Sequence, residues 1–204
     1  MRYGRSLKAE SSKRPATSSE SRGPNVQSPI SLSSPIEEKI AWARDAYERL
    51  GEPLLRDPEI AGLLNRLKEA VAASRREMAD TGIVEICRRC DRDEGGSCCG
   101  AGIENRYDVW LLLINLLLGV HLPEGRHRPD ACFLSGENGC LLAARHIICI
   151  NFLCKNVTDQ IDPCRITALR EKEGIEVNAL FILHERIKTV LKKWTHASGT
   201  ASPK

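Results

Sequence analysis

All nine cysteines of this 204-residue chain lie between Cys87 and Cys164, and the segments on either side of this window contain none. The window opens with the sequence Cys87-Arg88-Arg89-Cys90. Two thiolates separated by two residues can bind one metal ion together, and both zinc sites and iron–sulfur clusters use this spacing. The confinement of the cysteines therefore predicts a metal site rather than thiols scattered through a core.

Composition describes an ordinary globular chain around this window. Hydrophobic residues make up 42% and charged residues 28%, while aromatic residues make up only 4%, so a core has to be built from Leu, Ile, Val and Ala. The net charge is +3, although the first 30 residues carry six basic and two acidic side chains. The rest is close to neutral, which argues against a nucleic-acid partner, because such proteins need a basic face on the fold.

The apolar segments predict a cytoplasmic protein without a membrane partner. The longest apolar run, Val109 to Val120, is interrupted by Asn115, and a membrane span needs roughly 20 apolar residues. The first residues lack the apolar region of a secretory signal. Thiols in the cytoplasm stay reduced, so we expect the cysteines to bind metal rather than to form disulfides.

The chain is predicted to form one domain between two disordered ends. Residues 1–34 form a basic, Ser-rich tail that buries too little apolar surface to order itself. Residues 35–196 form a single helical domain with the cysteine segment at 83–164, and residues 197–204 are expected to be disordered. Removal of residues 1–33 is therefore expected to leave folding and metal content unchanged.

Two scaffold helices are predicted before the cysteines. The first is expected to begin with Ser34 as N-cap, Pro35 at the first helical position and Glu37 in a capping box, and to end at Gly51. The second opens at Asp57-Pro58 and runs to about Met78. An extended apolar segment, Ile83 to Ile86, is then expected to lead into Cys87.

The second part of the cysteine window is predicted to contain a buried helix, a hairpin and a long amphipathic helix. The helix spans about residues 104–118 and is apolar around nearly its whole circumference. A short hairpin follows, with Cys132 and Cys140 facing each other across its base. Cys149 and Cys154 cannot share a face of one continuous helix, so either the helix ends between them or they serve different sites.

The order of the cysteines resembles a known family. Cys87-x2-Cys90, Cys98-Cys99, Cys132-Phe133-Leu134, Gly139-Cys140, Arg145, Cys149 and Cys154 are similar to the pattern of the zinc- or iron-chelating domain family, the CxxCxxCC-type cysteine-cluster proteins. The resemblance covers about residues 83–157. It implies that the eight cysteines from Cys87 to Cys154 are candidate metal ligands, whereas Cys164 has no counterpart and is expected to be a packed or surface thiol.

Basic residues near the cysteines are expected to offset the charge of the site. Four thiolates around Zn²⁺ or a [4Fe–4S]²⁺ cluster carry a net charge of −2, and nearby cations can compensate it while donating hydrogen bonds to sulfur. The candidates are Arg88, Arg89, Arg92, Arg145 and Lys155. His146 is the only histidine near the site in sequence, and it is expected to be a neighbour rather than a ligand.

These features predict a mostly α-helical domain around a cysteine-rich metal-binding core with a short β-hairpin. The favoured function is metal chelation with a [4Fe–4S]-type iron–sulfur cluster ahead of zinc, because eight thiols without a histidine suit soft ligation. A redox or metal-handling role would follow. The alternative is a zinc-stapled helical adaptor, and a thiol–disulfide oxidoreductase using Cys87 and Cys90 is weaker, since no βαβ pattern surrounds the pair. No catalytic residue and no protein partner is indicated.

Overall fold

The computed structural model describes residues 30–93 and 98–199 of the chain. The predicted tail up to residue 29 and the last five residues lie outside the described residues, as do residues 94–97. The fold is mostly α-helical with a short antiparallel hairpin, as predicted. The elements, in chain order, are α1 (Ile36–Arg56), α2 (Pro58–Asp80), α3 (Ile83–Asp93), α4 (Val109–Leu117), β1 (Ser135–Gly136), β2 (Gly139–Cys140), α5 (Ile147–Asn151), α6 (Lys155–Thr158) and α7 (Pro163–Gly199), with a 3-10 turn at Ile103–Arg106.

The main core lies between α1, α2, α4 and α7. α2 packs along α7, and α1 packs against α4. α4 is buried at nearly every position, with Leu112, Leu113 and Ile114 fully buried, which confirms the predicted central helix. A smaller apolar cluster, formed by Ile83, Ile86, Val157 and Leu169, joins α3 and α6 to the first part of α7. This second cluster is the one that lies beside the cysteines.

The beginning of α1 differs from the prediction. Pro35, not Ser34, occupies the N-cap position, and it supplies no side-chain hydrogen bond. Ser34 is instead in a turn in which its N–H donates to the carbonyl of Ser31 at 3.1 Å. The capping box therefore does not form, and residues 30–34 belong to the folded body, since Ile30 packs against the core.

The end of α1 also differs from the prediction. The helix continues through Gly51 and Pro53 to Arg56 because Leu54 is fully buried, and this burial outweighs the local cost of proline. A side chain at Gly51 would meet the ring of Tyr47, whose nearest atom lies 2.9 Å from the point that a Cβ would occupy. α2 starts as predicted, because the Asp57 carboxylate accepts hydrogen bonds from Glu59 N and Ile60 N.

The predicted extended segment before the first cysteine pair is wrong, because α3 begins at Ile83. Gly82 has a φ of +86°, which ends α2 and lets the chain start a new helix at once. Ile83, Ile86, Cys87 and Cys90 follow one another at helical spacing and share one face. This spacing is a signal of a helix, but the segment is too short for periodicity alone to distinguish it from a strand.

The predicted helix over residues 104–118 is two elements. The 3-10 turn ends at Arg106, Tyr107 is extended, and Asp108 caps α4 by accepting a hydrogen bond from Leu111 N at 2.8 Å. Gly119, with a φ of +85°, follows the end of α4. None of the described helices is long and apolar enough to cross a membrane.

Candidate metal centre

The first thiol group consists of Cys87, Cys90, Cys98 and Cys154. Cys87 and Cys90 are one helical turn apart on α3, so their side chains lie on the same face. Cys154 is the N-cap residue of α6, and both Cys87 and Cys154 pack against the apolar cluster between α3 and α6. The structure thus brings a cysteine from the end of the window beside the first pair.

The pKa values of these thiols are consistent with sulfurs that lie near one another. Burial raises the pKa of Cys87, and the neighbouring sulfurs of Cys154, Cys99 and Cys90 raise it further. The hydrogen bond with Cys99 is the main cause that raises the pKa of Cys98, followed by burial and by the charges of Cys99, Cys87 and Cys154. Each thiol therefore makes ionisation of the next one harder.

The second thiol group consists of Cys132, Cys140 and Cys149. Burial is the main cause that raises the pKa of Cys132 to about 12. The negative charges of Glu104, Cys140 and Cys99 also raise it. Burial also raises the pKa of Cys140, even though much of that residue is exposed, and Cys149 and Cys99 add to this shift. Cys99 interacts with members of both groups and lies between them.

Backbone pairing holds Cys99 beside Cys132. The carbonyl of Cys99 accepts a hydrogen bond from Cys132 N at 2.6 Å, and Ala101 N donates to the carbonyl of Asp130 at 2.8 Å. Gly100 and Ala131 form an antiparallel bridge between these bonds. The loop after α4 therefore returns alongside the vicinal cysteines, which brings the two halves of the cysteine window together.

A buried ion pair fixes this return. Glu104 is almost fully buried, accepts a hydrogen bond from Gly102 N at 2.9 Å and pairs with Arg126 at 2.5 Å. Arg126 also donates to the carbonyl of Ala131 and lies 5.6 Å from the ring centre of Phe133. Burial opposes ionisation of Glu104, but the hydrogen bond and charge of Arg126 outweigh it, so the pKa of Glu104 is lowered. Sequence reasoning did not identify this pair.

The hairpin does not place Cys132 and Cys140 opposite each other, so this prediction is wrong. Cys140 pairs with Ser135, and Gly139 pairs with Gly136. The hairpin is shorter than predicted and begins at Ser135. The N–H and the hydroxyl of Ser135 both donate hydrogen bonds to the carbonyl of Cys132, which places Cys132 in a turn before the strand. Cys132 therefore lies one turn before the hairpin, although its thiol still interacts with that of Cys140.

Cys149 and Cys154 belong to different thiol groups. α5 ends at Asn151, between them, so that Cys149 lies in the second group and Cys154 in the first. The predicted alternative in which the helix ends between them is confirmed. Cys164 is exposed at the start of α7, where its N–H donates to Asp162, so it is the expected surface thiol.

Three side chains fix the segment that precedes α5. Asn115 on α4 is fully buried, donates to the carbonyl of Ala144 at 2.9 Å and accepts from Ala144 N at 3.0 Å. Tyr107 accepts a hydrogen bond from His146 N at 3.0 Å, and Arg75 donates to the carbonyl of Leu142 at 2.5 Å. In the sequence, Asn115 is only an interruption of an apolar run. Its position inside that run is the available signal, because a buried amide needs hydrogen-bond partners.

His146 is a neighbour of the site, as expected. Its Nδ1 accepts a hydrogen bond from Ile148 N and caps α5, and its ring lies 5.7 Å from that of Tyr107. Burial is the main cause that lowers the pKa of His146, while the charge of Asp108 opposes this effect.

The five basic residues expected to offset the thiolate charge divide into two kinds. Arg88 and Arg92 pair with Glu85, and Lys155 pairs with Asp159, all on the surface, while Arg89 donates to Gln160. Arg145 alone among these five lines a cavity with the cysteines, and its charge lowers the pKa values of Cys140 and Cys149 against the larger effect of burial. Sequence distance could not separate these roles, because the partner of each side chain depends on which acceptors lie near it in space.

The cavity beside the second thiol group has a volume of about 340 Å³. Cys132, Cys140 and Cys149 line it together with Cys98 and Cys99. Within the described part of the chain, no set of three or more Cys, His, Asp or Glu side chains has the geometry of a metal site. The candidate ligands are thus neighbours in two linked groups, but their sulfurs do not converge on one point.

No protein-family model, curated protein or solved structure matches the chain. The resemblance to the zinc- or iron-chelating domain family therefore remains a prediction based on the order of the cysteines.

Proposed function

We propose that the protein chelates metal through two linked sets of thiolates, with an iron–sulfur cluster of the [4Fe–4S] type favoured over zinc. The first thiol group would form one set. The second thiol group, completed by Cys99, would form the other. Each set then has the four thiolates that a cluster or a tetrahedral zinc site takes. The chemistry would be redox or metal handling in the cytoplasm, where free thiols are maintained.

The mutual interaction of the thiols is the observation that carries this proposal. Neighbouring thiols that raise one another's pKa values favour a bound cation, because a metal ion reverses the local electrostatics and deprotonates its ligands. Cys87 and Cys140 each have two or more sulfurs close enough to produce this effect. The donor set thus fits a soft metal, although the sulfurs would have to move together to bind one.

The choice of an iron–sulfur cluster rests on donor chemistry. Eight thiols are more than one structural zinc ion requires, and the ring of His146 is already used as a helix cap. Arg145 supplies a cation on the side of the second group, where clusters gain from nearby donors to sulfur.

A zinc-stapled adaptor is the second candidate, and one surface feature favours it. α7 exposes Ile175 and Ile182, with 58% and 44% of their surface accessible, and their spacing of seven residues places both on one face of the helix. Exposed apolar side chains on a helix are typical of protein-binding surfaces when they form a patch. In this case the metal would only hold the fold together.

Anaerobic purification followed by elemental analysis and visible absorption separates the two candidates. A brown protein with iron and acid-labile sulfide supports the cluster, whereas a colourless protein with stoichiometric zinc supports the adaptor. Protein that binds neither metal after reconstitution would overturn the proposal.

Single substitutions then test the two sets. Cys87→Ser and Cys140→Ser should each remove a large part of the metal, since serine is a poor ligand for soft metals. Cys164→Ser is the matched control and should retain all of it. Equal metal content in the three variants would contradict the assignment of the ligands.

A further inference from the structure

The cavity at the second thiol group has a lining of two chemical kinds. Five thiols line it, and so do the apolar side chains of Ile103, Leu134, Ile148 and Phe152. Its volume of about 340 Å³ is that of roughly ten water molecules in the liquid and falls in the range of small-molecule sites.

Among the described residues, Arg145 is the one charged side chain that lines this cavity. Its Nε is buried and has no hydrogen-bond partner among the described residues. Burial of an unpaired donor is unfavourable, and a charged donor is the costliest kind. An anion in the cavity would satisfy it, because a guanidinium binds carboxylate and sulfonate-like groups with several parallel hydrogen bonds.

Two carboxylates of α7 also lie near Arg145. Glu173 and Glu176 approach the guanidinium from α7, since its charge affects the pKa of both. Glu173 is already paired with Arg170 at 2.6 Å. Glu176 is fully buried near Ser74, without a hydrogen bond of ordinary geometry among the described residues. Five N–H donors on one guanidinium allow it to contact a carboxylate of α7 and a further anion together.

The backbone around Arg145 is fixed before any ligand binds. Asn115 holds Ala144, and Tyr107 holds His146, so the residues on both sides of Arg145 are anchored to the core. A charged group on a fixed segment loses little freedom on binding, which favours affinity. Ile148 and Phe152 are partly exposed and line the same cavity, so its apolar side is open to solvent.

We propose that this cavity binds a small organic anion with an apolar body, whose charged group pairs with Arg145 while its apolar part packs against Ile148 and Phe152. The ligand would then lie beside the metal held by Cys132, Cys140 and Cys149. This last element rests on the function proposed above, whereas the anion site itself does not.

A matched pair of fluorescent probes tests the role of charge. 8-Anilinonaphthalene-1-sulfonate and N-phenyl-1-naphthylamine share the same rings, but only the first carries an anionic group. Arg145→Gln should weaken binding of the sulfonate about tenfold or more and leave the neutral probe within about twofold. Arg145→Lys should restore much of the sulfonate affinity. Equal effects on both probes, or none on the sulfonate, would overturn the proposal.

Two further variants test the location. Ile148→Trp should narrow the cavity and weaken both probes, since Ile148 lines it and has free space on its exposed side. Phe181→Ala removes an exposed apolar side chain of α7 and should weaken neither. If Phe181→Ala abolishes binding and Ile148→Trp does not, the probes bind the surface of α7 and the cavity proposal is wrong. Thermal unfolding of each variant identifies any that has lost its fold.

Metal analysis of the same samples keeps the two proposals separate. If the protein takes up no metal but discriminates the probes through Arg145, the proposed function fails and the anion site stands. In cobalt-substituted protein, the sulfonate should shift the visible d–d bands of the thiolate-bound ion. Unchanged bands at saturating sulfonate would overturn the placement of the ligand beside the metal.

Discussion

The hydroxyl of Tyr107 donates a hydrogen bond to the sulfur of Cys149 at 3.7 Å. The same oxygen accepts a hydrogen bond from His146 N at 3.0 Å, and the whole side chain is almost fully buried. Tyr107 therefore joins a candidate ligand to the segment that carries Arg145. A hydrogen bond of this kind orients a ligand and stabilises its charged form, and the loss of such a partner typically costs 10–100-fold in metal affinity.

Tyr107→Phe should weaken metal binding at the second thiol group by about tenfold, because Cys149 loses its only donor among the described residues. It should also lower the free energy of unfolding by about 1 kcal/mol, since His146 N loses its acceptor. The rate and midpoint of metal transfer to a chelator measure the first effect. Tyr47→Phe, in a tyrosine that packs over Gly51, is the control and should match the wild type. Indistinguishable metal transfer from Tyr107→Phe and wild type would contradict this role.

Arg126→Met should destabilise the fold by about 2–3 kcal/mol. The substitution leaves Glu104 buried without its cation, and the loss of one partner of a fully buried pair costs about 3–5 kcal/mol. Arg126 is partly exposed, so the expected value is lower. Because the pair holds the loop beside Cys99, metal content should fall as well.

Arg128→Met is the matched control in the same loop. Arg128 pairs with Asp91 on the surface, where solvent screens the interaction, so its loss should cost much less than the loss of Arg126. Addition of Glu104→Gln to Arg126→Met should recover part of the lost stability by removing the unpaired charge. Urea unfolding measures the stability of the wild type, the two single variants and the double variant. Equal losses of unfolding free energy for Arg126→Met and Arg128→Met would show that the Glu104 pair contributes no more than a surface pair.

The parts of the fold that sequence predicts are those fixed by local chemistry. Asp57 followed by Pro58 is a helix start in any context, and the apolar run of α4 can only be buried. The sequence does not predict α3, because Gly82 ends α2 and a new helix begins at the very next residue. Four apolar residues are also too few to distinguish a helical spacing from that of a strand. Pro53 wrongly predicts a helix end, because burial of Leu54 outweighs the local cost of a proline inside the helix.

The sequence predicts which thiols come near one another, but not how they divide into two groups. The order of the cysteines names the thiols, whereas their separation into two groups depends on where α5 ends and on the pairing of Cys99 with Cys132. Both features depend on tertiary contacts, which the sequence does not show directly. Likewise, the sequence cannot single out Arg145 from Arg88, because the difference lies in Glu85, which captures Arg88 on the surface of α3.

His184 and Asp108 link α7 to the start of α4 through a hydrogen bond of 3.1 Å. Burial lowers the pKa of His184, but the hydrogen bond and charge of Asp108 outweigh it, and Glu185 adds to them, so the pKa is raised. Lys188 opposes this shift. Burial likewise opposes ionisation of Asp108, and the hydrogen bond from His184 outweighs it, so the pKa of Asp108 is lowered.

The pair should stabilise the fold only in a limited pH range. The contribution of a histidine with a raised pKa is complete below its ordinary pKa of about 6.5 and disappears as the pH rises through the folded value. The contribution of Asp108 is present above about pH 4 and disappears as the pH falls through its lowered value. His184→Gln should thus lower the free energy of unfolding at about pH 5.5 by less than about 1 kcal/mol, and by nearly nothing at about pH 9. Urea unfolding at both pH values measures this, with His121→Gln on the surface as control. A loss that is the same at both pH values would contradict the ion pair.

Lys39 shows that the folded body begins before α1. Its side chain is fully buried, and its ammonium donates to the carbonyls of Leu32 at 2.6 Å and Asn105 at 3.0 Å. Burial lowers the pKa of Lys39, while the charge of Asp108 opposes this effect. Residues 30–34 thus supply one of two acceptors for a buried cation, so the expectation that residues 1–33 can be removed without effect needs revision.

Two truncations test this boundary. Removal of residues 1–29 should leave stability unchanged, whereas removal of residues 1–34 should cost about 1–3 kcal/mol, because Lys39 loses an acceptor and stays buried. Leu32→Ala in the full chain is the control, since its exposed side chain is not part of the bond. It should cost less than about 0.5 kcal/mol. Metal content should be the same in all three proteins, because α1 does not contribute a thiol. Equal unfolding midpoints for the two truncations would show that Lys39 does not depend on the preceding segment.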